Sequence, residues 1–162
     1  MPALGFEEES PDSTTFKTRT DVSAVSNYLI NLLAVVIGSA AGGTARYWVS
    51  DITHRWLGER FPWGTLAVNV SGAVLVGILA ALATGAAPLA SAAEAQKLLI
   101  IGVCGSYTTV SSFALQTLAL ARDGQWQFAL VNVFASLGLC MLGVWLGLRL
   151  SALALGLPGW PL

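Results

Sequence analysis

The chain has 162 residues, of which 55% are hydrophobic and only 10% charged. Soluble domains carry roughly 25% charged residues, so composition excludes an ordinary soluble enzyme. A formal net charge of −1 offers no basic footprint for nucleic acid, and a single histidine, His54, leaves no His-based metal site or triad.

Residues 1–26 differ in kind from the rest of the chain. Glu7, Glu8, Glu9, Asp12 and Asp21 are five of the nine acids and are mixed with Pro, Ser and Thr. A signal peptide would show a basic start and an apolar core; this stretch reads instead as an acidic, disordered tail. Four apolar segments of 23 or 24 residues then occupy a domain of residues 27–150: Tyr28–Ser50, Gly64–Ala87, Leu98–Ala121 and Trp126–Leu148. At 1.5 Å per residue each can cross a hydrocarbon core of about 30 Å. All six prolines fall outside these segments, and Trp48, Trp56, Trp63, Trp126 and Trp145 lie near segment ends, as interfacial anchors do. Residues 151–162 form a short C-terminal tail. The fold class is therefore an all-α integral membrane protein with four transmembrane helices.

Within the first segment, Gly38 and Gly42 form a G-x-x-x-G pair that permits close helix approach, inside the chain or between subunits. Arg46 is the only basic residue within a span; it can snorkel to the interface or line an anion vestibule. In the second segment Thr65, Asn69 and Gly72 share one helix face. Asn69 needs a partner in hydrocarbon, supplied by an interhelical hydrogen bond or by a polar pore. The third segment centres on Thr109 and carries Gly102, Gly105, Ser106, Thr108, Thr109, Ser111 and Ser112 near its middle. Such a composition suits a helix broken at the midplane, where carbonyls are freed, or a buried helix whose hydroxyls bond their own i−4 carbonyls. The fourth segment sets Asn132, Ser136 and Cys140 in one stripe, able to pass a small ion or to hold helices together, with Gly143 and Gly147 as a second close-approach pair.

Two properties narrow the chemistry. No Asp or Glu lies within any span, which argues against a proton-coupled exporter, since such a protein needs an intramembrane relay. Hydrogen-bond donors remain, suited to a small anion. Lysines and arginines outside the spans divide as Lys17, Arg19, Lys97 and Arg149 against Arg55, Arg60 and Arg122. The positive-inside rule needs an imbalance to fix orientation, so this chain is expected either to insert both ways round or to take one orientation from a weak bias or from its tail.

Three motifs then converge. Gly42-Gly43-Thr44-Ala45-Arg46-Tyr47 resembles the G-G-x-x-R-[YW] of the Fluc (CrcB) fluoride channels, and Gly64 to Gly72 resembles their G-T-L-x-V-N-x-x-G. Gly102 to Phe113 resembles G-x-x-G-G-x-T-T-F-S-T-F, with Ser106 in place of the second glycine and Val110 in place of the first phenylalanine. Asn132 stands where tyrosine is frequent and Cys140 where a hydroxyl is usual. The resemblance implies a multi-pass protein of the bacterial inner membrane and an antiparallel, dual-topology homodimer with two pores along the subunit interface. It implies passive, fluoride-selective export from the cytoplasm rather than enzymatic activity. It also implies that Gly105 and Thr108 offer backbone carbonyls to a structural Na+ on the dimer axis. Thr65, Asn69, Val110, Ser112, Phe113, Ser136 and Cys140 would mark the fluoride path, and Arg46 the vestibule. The competing expectation is a relative that does not conduct, or carries another small solute, and acts as a membrane scaffold.

Overall fold

The computed structural model describes residues 13–84 and 97–156, nearly all of them helical. The helices are α1 (Ser13–Leu57), α2 (Trp63–Thr84), α3 (Lys97–Cys104, wound as a π-helix), α4 (Gly105–Tyr107), α5 (Val110–Arg122) and α6 (Trp126–Ala154). Among the described residues, three stretches are long and apolar enough to cross a membrane: Ala24–Leu57, Trp63–Leu82 and Trp126–Ala154. The apolar segment Leu98–Ala121 is divided among α3, α4 and α5, so no single helix there is long enough to cross alone.

Two boundaries differ from the sequence expectation. The helix of the first segment begins at Ser13, upstream of the apolar stretch that starts at Tyr28. Once the apolar part of α1 is wound, adding a turn costs little, because nucleation has already been met. At the other end α6 continues to Ala154, past the expected boundary at residue 150. Residues 1–12, most of the connector after α2, and residues 157–162 lie outside the described residues.

Turn chemistry is legible at each junction. Gly58 closes α1 with φ +80 and donates its N–H to His54 O at 2.9 Å, the left-handed glycine stop. After α5, Gly124 adopts φ +75 while Gln125 N–H reaches Leu120 O at 2.8 Å and Gly124 N–H reaches Ala121 O at 3.2 Å. That pair is a Schellman closure, and it turns the chain directly into α6. Phe61, 6% exposed, lies 4.7 Å from the Trp63 ring and 6.4 Å from Phe128, tying the α1–α2 turn to the start of α6.

Packing rests on backbones brought close by glycine. A Cβ on Gly38 would meet Leu98 O, and Gly102 Cα would lie 3.0 Å away; one on Gly42 would run into Val103 O and Ser106 Oγ. The first close-approach pair therefore seats α1 on α3 and α4 of the same chain. Gly143 faces Val70 O at 3.1 Å and Gly147 faces Val74 O, so the second pair seats α6 on α2. In hydrocarbon, where apolar burial supplies little driving force between helices, such contact is what holds them. Side chains turned outward are large and apolar, including Ile37, Phe134 and Met141 at 63%, 70% and 73% exposed.

Neighbouring glycines give a paired test. Gly42→Ala must displace Val103 or Ser106, an overpacking cost of about 1–3 kcal/mol, whereas a Cβ on Gly43 meets nothing within 4 Å. Thermal unfolding of purified protein in detergent should show a lowered midpoint for Gly42→Ala and an unchanged or raised one for Gly43→Ala. Equal midpoints would show that α1 does not depend on this approach.

Candidate functional site

The site is built where the chain leaves helical geometry. Thr108 (φ −78, ψ 159) and Thr109 (φ −152, ψ 121) are extended, between α4 and α5. Breaking a helix strands backbone groups, each costing several kcal/mol in a hydrocarbon setting unless repaired. Asn69 of α2 makes the repair: its Nδ2 donates to Thr109 O at 2.9 Å, and Thr109 N–H donates to its Oδ1 at 2.8 Å. The side-chain amide thus pairs with the main chain as another peptide group would, across 40 positions of sequence.

Hydroxyls complete the junction. Thr108 N–H and the Thr108 hydroxyl both donate to Cys104 O at 3.0 Å, closing the helix before the break. Ser112 N–H donates to Thr109 Oγ1 at 3.2 Å, an N-cap for α5. The Thr109 hydroxyl is also 3.1 Å from Ser111 Oγ and 3.2 Å from Ser112 Oγ. Ser71 gives its proton to Ala67 O at 2.7 Å, so the Tyr107 hydroxyl, 2.8 Å away, is the donor to Ser71 Oγ. Gly72 lets this assembly sit against α2: a Cβ there would collide with Thr108 Cγ2 and lie 3.2 Å from the Tyr107 ring.

The repair leaves two carbonyls released. In an uninterrupted α-helix the amides of Thr109 and Ser112 would reach Gly105 O and Thr108 O, but here they are directed to Asn69 Oδ1 and Thr109 Oγ1. Gly105 is exposed, and a Cβ there would find only Ile100 O, at 3.8 Å. Carbonyl oxygens released from helix bonding are the kind of hard donor that a cation such as Na+ or Ca2+ takes.

A groove of about 420 Å³ runs beside the break, walled by α2, the start of α5 and α6. It brings together Asn69, Thr108, Val110, Phe113, Ser136 and Cys140. Its remaining walls are largely aliphatic, from Ala73, Val76, Leu137 and Val144. Ser136 is 8% exposed while Val110 stands out at 79%. The other expected residues lie apart from it. Thr65 is buried one turn from Asn69 along α2, Ser112 is engaged with Thr109, and Arg46 is half-exposed on α1. The sequence does not single out Thr109 as the residue Asn69 holds, nor Thr117, which accepts from Asn132. The only signal for the first is an asparagine and a hydroxyl-rich stretch, both needing partners.

Comparison with known proteins is consistent over most of the chain. Residues 33–148 match the family described as CrcB-like protein, Camphor Resistance (CrcB). The chain is similar to the fluoride-specific ion channel FluC 2 of Bradyrhizobium diazoefficiens, 48% identical over 123 residues, covering 76% of this chain and 90% of the relative. It is 52% identical to the fluoride-specific ion channel FluC 2 of Rhodopseudomonas palustris over 116 residues, 72% of this chain and 88% of the relative. The fluoride-specific ion channel FluC of Paramagnetospirillum magneticum is 44% identical over 119 residues, 74% and 93% of the two chains.

Removing the Asn69 amide should destabilise the molecule. In Asn69→Leu the buried Thr109 N–H and C=O lose their partners, at about 1–3 kcal/mol for each group left unsatisfied. The expected reading is a clear fall in the thermal midpoint of purified protein. A midpoint equal to the parent's would show that the break is held without Asn69.

Proposed function

The chain belongs to the CrcB family, and from that premise we propose that it works as its relatives are named, as a fluoride-specific channel that lets fluoride leave the cytoplasm down its gradient. It is a multi-pass membrane protein and no enzyme. The observation that carries the reading is the junction at Thr109: a polar opening, held by Asn69, that faces a groove containing Phe113 and Ser136. Fluoride is small and strongly hydrated, so its water must be replaced by several weak stations rather than one strong site. Hydroxyls such as Ser136 and Ser112, the Asn69 amide and the Phe113 ring edge supply stations of that kind. Thr65 and Cys140 extend the path along α2 and α6, and Arg46 raises the local anion concentration at its mouth.

In this reading the third span is the broken unit α3–α4–α5, giving four spans in all, and the channel is an antiparallel homodimer of dual topology. Two features support it: the near balance of positive charge outside the spans, four against three, and the apolar residues exposed at the groove on α5 and α6, among them Val110, Leu137 and Met141. A pore so exposed on one chain needs a second copy to close it. The released carbonyls of Gly105 and Thr108 fit a structural Na+ shared at the dimer axis, which when bound would tie the two breaks together through hard oxygen ligands.

Purified protein in liposomes, followed with a fluoride electrode, should release fluoride readily and chloride hardly at all. Absence of fluoride efflux would favour the scaffold alternative. Phe113→Ala should slow fluoride by about tenfold, since an aromatic contact is worth up to about 1.5 kcal/mol and a factor of ten is about 1.4. Parental flux in a folded Phe113→Ala dimer would remove the ring from the path.

Orientation can be read separately. Reporter fusions at the C-terminus should give signal from both sides of the membrane, and two added lysines on one side should collapse it to a single orientation. A strictly single topology in the parent chain would overturn the antiparallel dimer.

A further inference from the structure

Helix α5 carries Phe113, yet it is held by little packing. Only Leu120 among its residues is fully buried. Phe113 lines the groove beside the break and also a second, apolar groove of about 410 Å³ between α5 and α6, so its ring has space on both sides. Shape alone does not fix the rotation of α5. Its start is held by Asn69 through Thr109. A second anchor lies beyond Phe113: Asn132 of α6, 2% exposed, donates from Nδ2 to Thr117 Oγ1 at 2.8 Å. The Thr117 hydroxyl in turn donates to Phe113 O at 2.7 Å.

We propose that Asn132 is a positioning residue for the fluoride path, acting through the Thr117 hydroxyl to set the rotation of α5 and hence the direction in which Phe113 presents its ring. The proposal rests on the channel reading above. The chemistry suits the task. Thr117 has one proton, given to Phe113 O, and a lone pair that accepts from Asn132, so the link runs in one direction from α6 to the backbone that bears the ring. Two anchors at different heights on a short helix fix its rotation, whereas one leaves it free to pivot. Asn132 is buried and spends its amide on this one side-chain link to α5.

The test separates positioning from simple stapling by measuring flux alongside stability. Thr117→Val keeps the shape and removes the hydroxyl; Asn132→Ala removes the donor. Each, reconstituted as folded dimer at matched amounts, should conduct fluoride several-fold more slowly than the parent and lose part of its preference over chloride. The double variant should be no slower than the slower single, because both break one link. Thr117→Ser, which keeps the hydroxyl, should restore parental flux. If Thr117→Val is not recovered folded, Asn132→Ala and Thr117→Ser carry the same comparison. Parental flux and selectivity in Asn132→Ala, with only the thermal midpoint lowered, would overturn the proposal, as would effects that multiply in the double variant. A parent that conducts no fluoride would overturn the channel reading and this proposal with it; a conducting parent with indifferent variants overturns this proposal alone.

Discussion

Two hydrogen bonds between the Asn69 side chain and the main chain of Thr109 hold the extended residues between α4 and α5. The local protein environment has to supply what solvent would supply elsewhere, because an orphaned peptide group in hydrocarbon is among the most expensive features a fold can carry. An asparagine is suited to this because its amide presents one donor and one acceptor side by side, in the geometry of a peptide. The arrangement also fixes α2 against the break at one height. Gly72, three residues along, then becomes the place where Tyr107 and Thr108 can rest on the helix surface. Position follows from partnering, and the groove follows from position.

The same economy runs through the polar groups of the bundle. Several hydroxyls bond a carbonyl three or four residues back: Thr44 to Ala40, Thr53 to Val49, Ser106 to Gly102, Thr117 to Phe113. These bonds satisfy the hydroxyl proton without linking helices, and they leave the oxygen lone pairs available. Where one is taken up by a second helix, as at Thr117 by Asn132 and at Ser71 by Tyr107, the result is a directional tie between elements that otherwise meet through smooth apolar surfaces. Polar residues in this chain thus divide into those that serve their own helix and those that join two.

Much of the architecture is legible from composition. Long apolar runs mark α1, α2 and α6, and the glycine pairs at Gly38 and Gly42 and at Gly143 and Gly147 mark close approach; what they approach is not legible, because spacing identifies a face and never its partner. Asn69 is readable as a group needing a partner, but Thr109 lies 40 positions away and contributes only backbone, which carries no sequence signal. Ser106 stands out as an exception to a glycine pattern. That its hydroxyl folds back on Gly102 O while pressing on Gly42 depends on packing. Sequence places the start of the first helix near Tyr28 rather than Ser13, because acidic and hydroxyl residues weigh against helix locally, whereas a helix already formed extends through them. At the candidate site, Asn69, Phe113, Ser136 and Cys140 share one groove, while Thr65, Ser112 and Arg46 do not line it; helix-face arithmetic cannot tell a wall residue from one packed behind it.

The π-helical winding of Lys97–Cys104 places one more residue in each turn's hydrogen-bonded ring than an α-helix would, directly before the break. Wider turns of this kind spread the same backbone over fewer turns, so the length of α3 and the heading of α4 are set together. Were α3 to rewind as ordinary helix, each residue gained or lost would rotate α4 and the break by about 100°. Insertions and deletions in this short stretch are therefore not interchangeable with those in the connectors: a shift there would swing Tyr107 and Thr108 away from Gly72 and leave Asn69 without the backbone it holds.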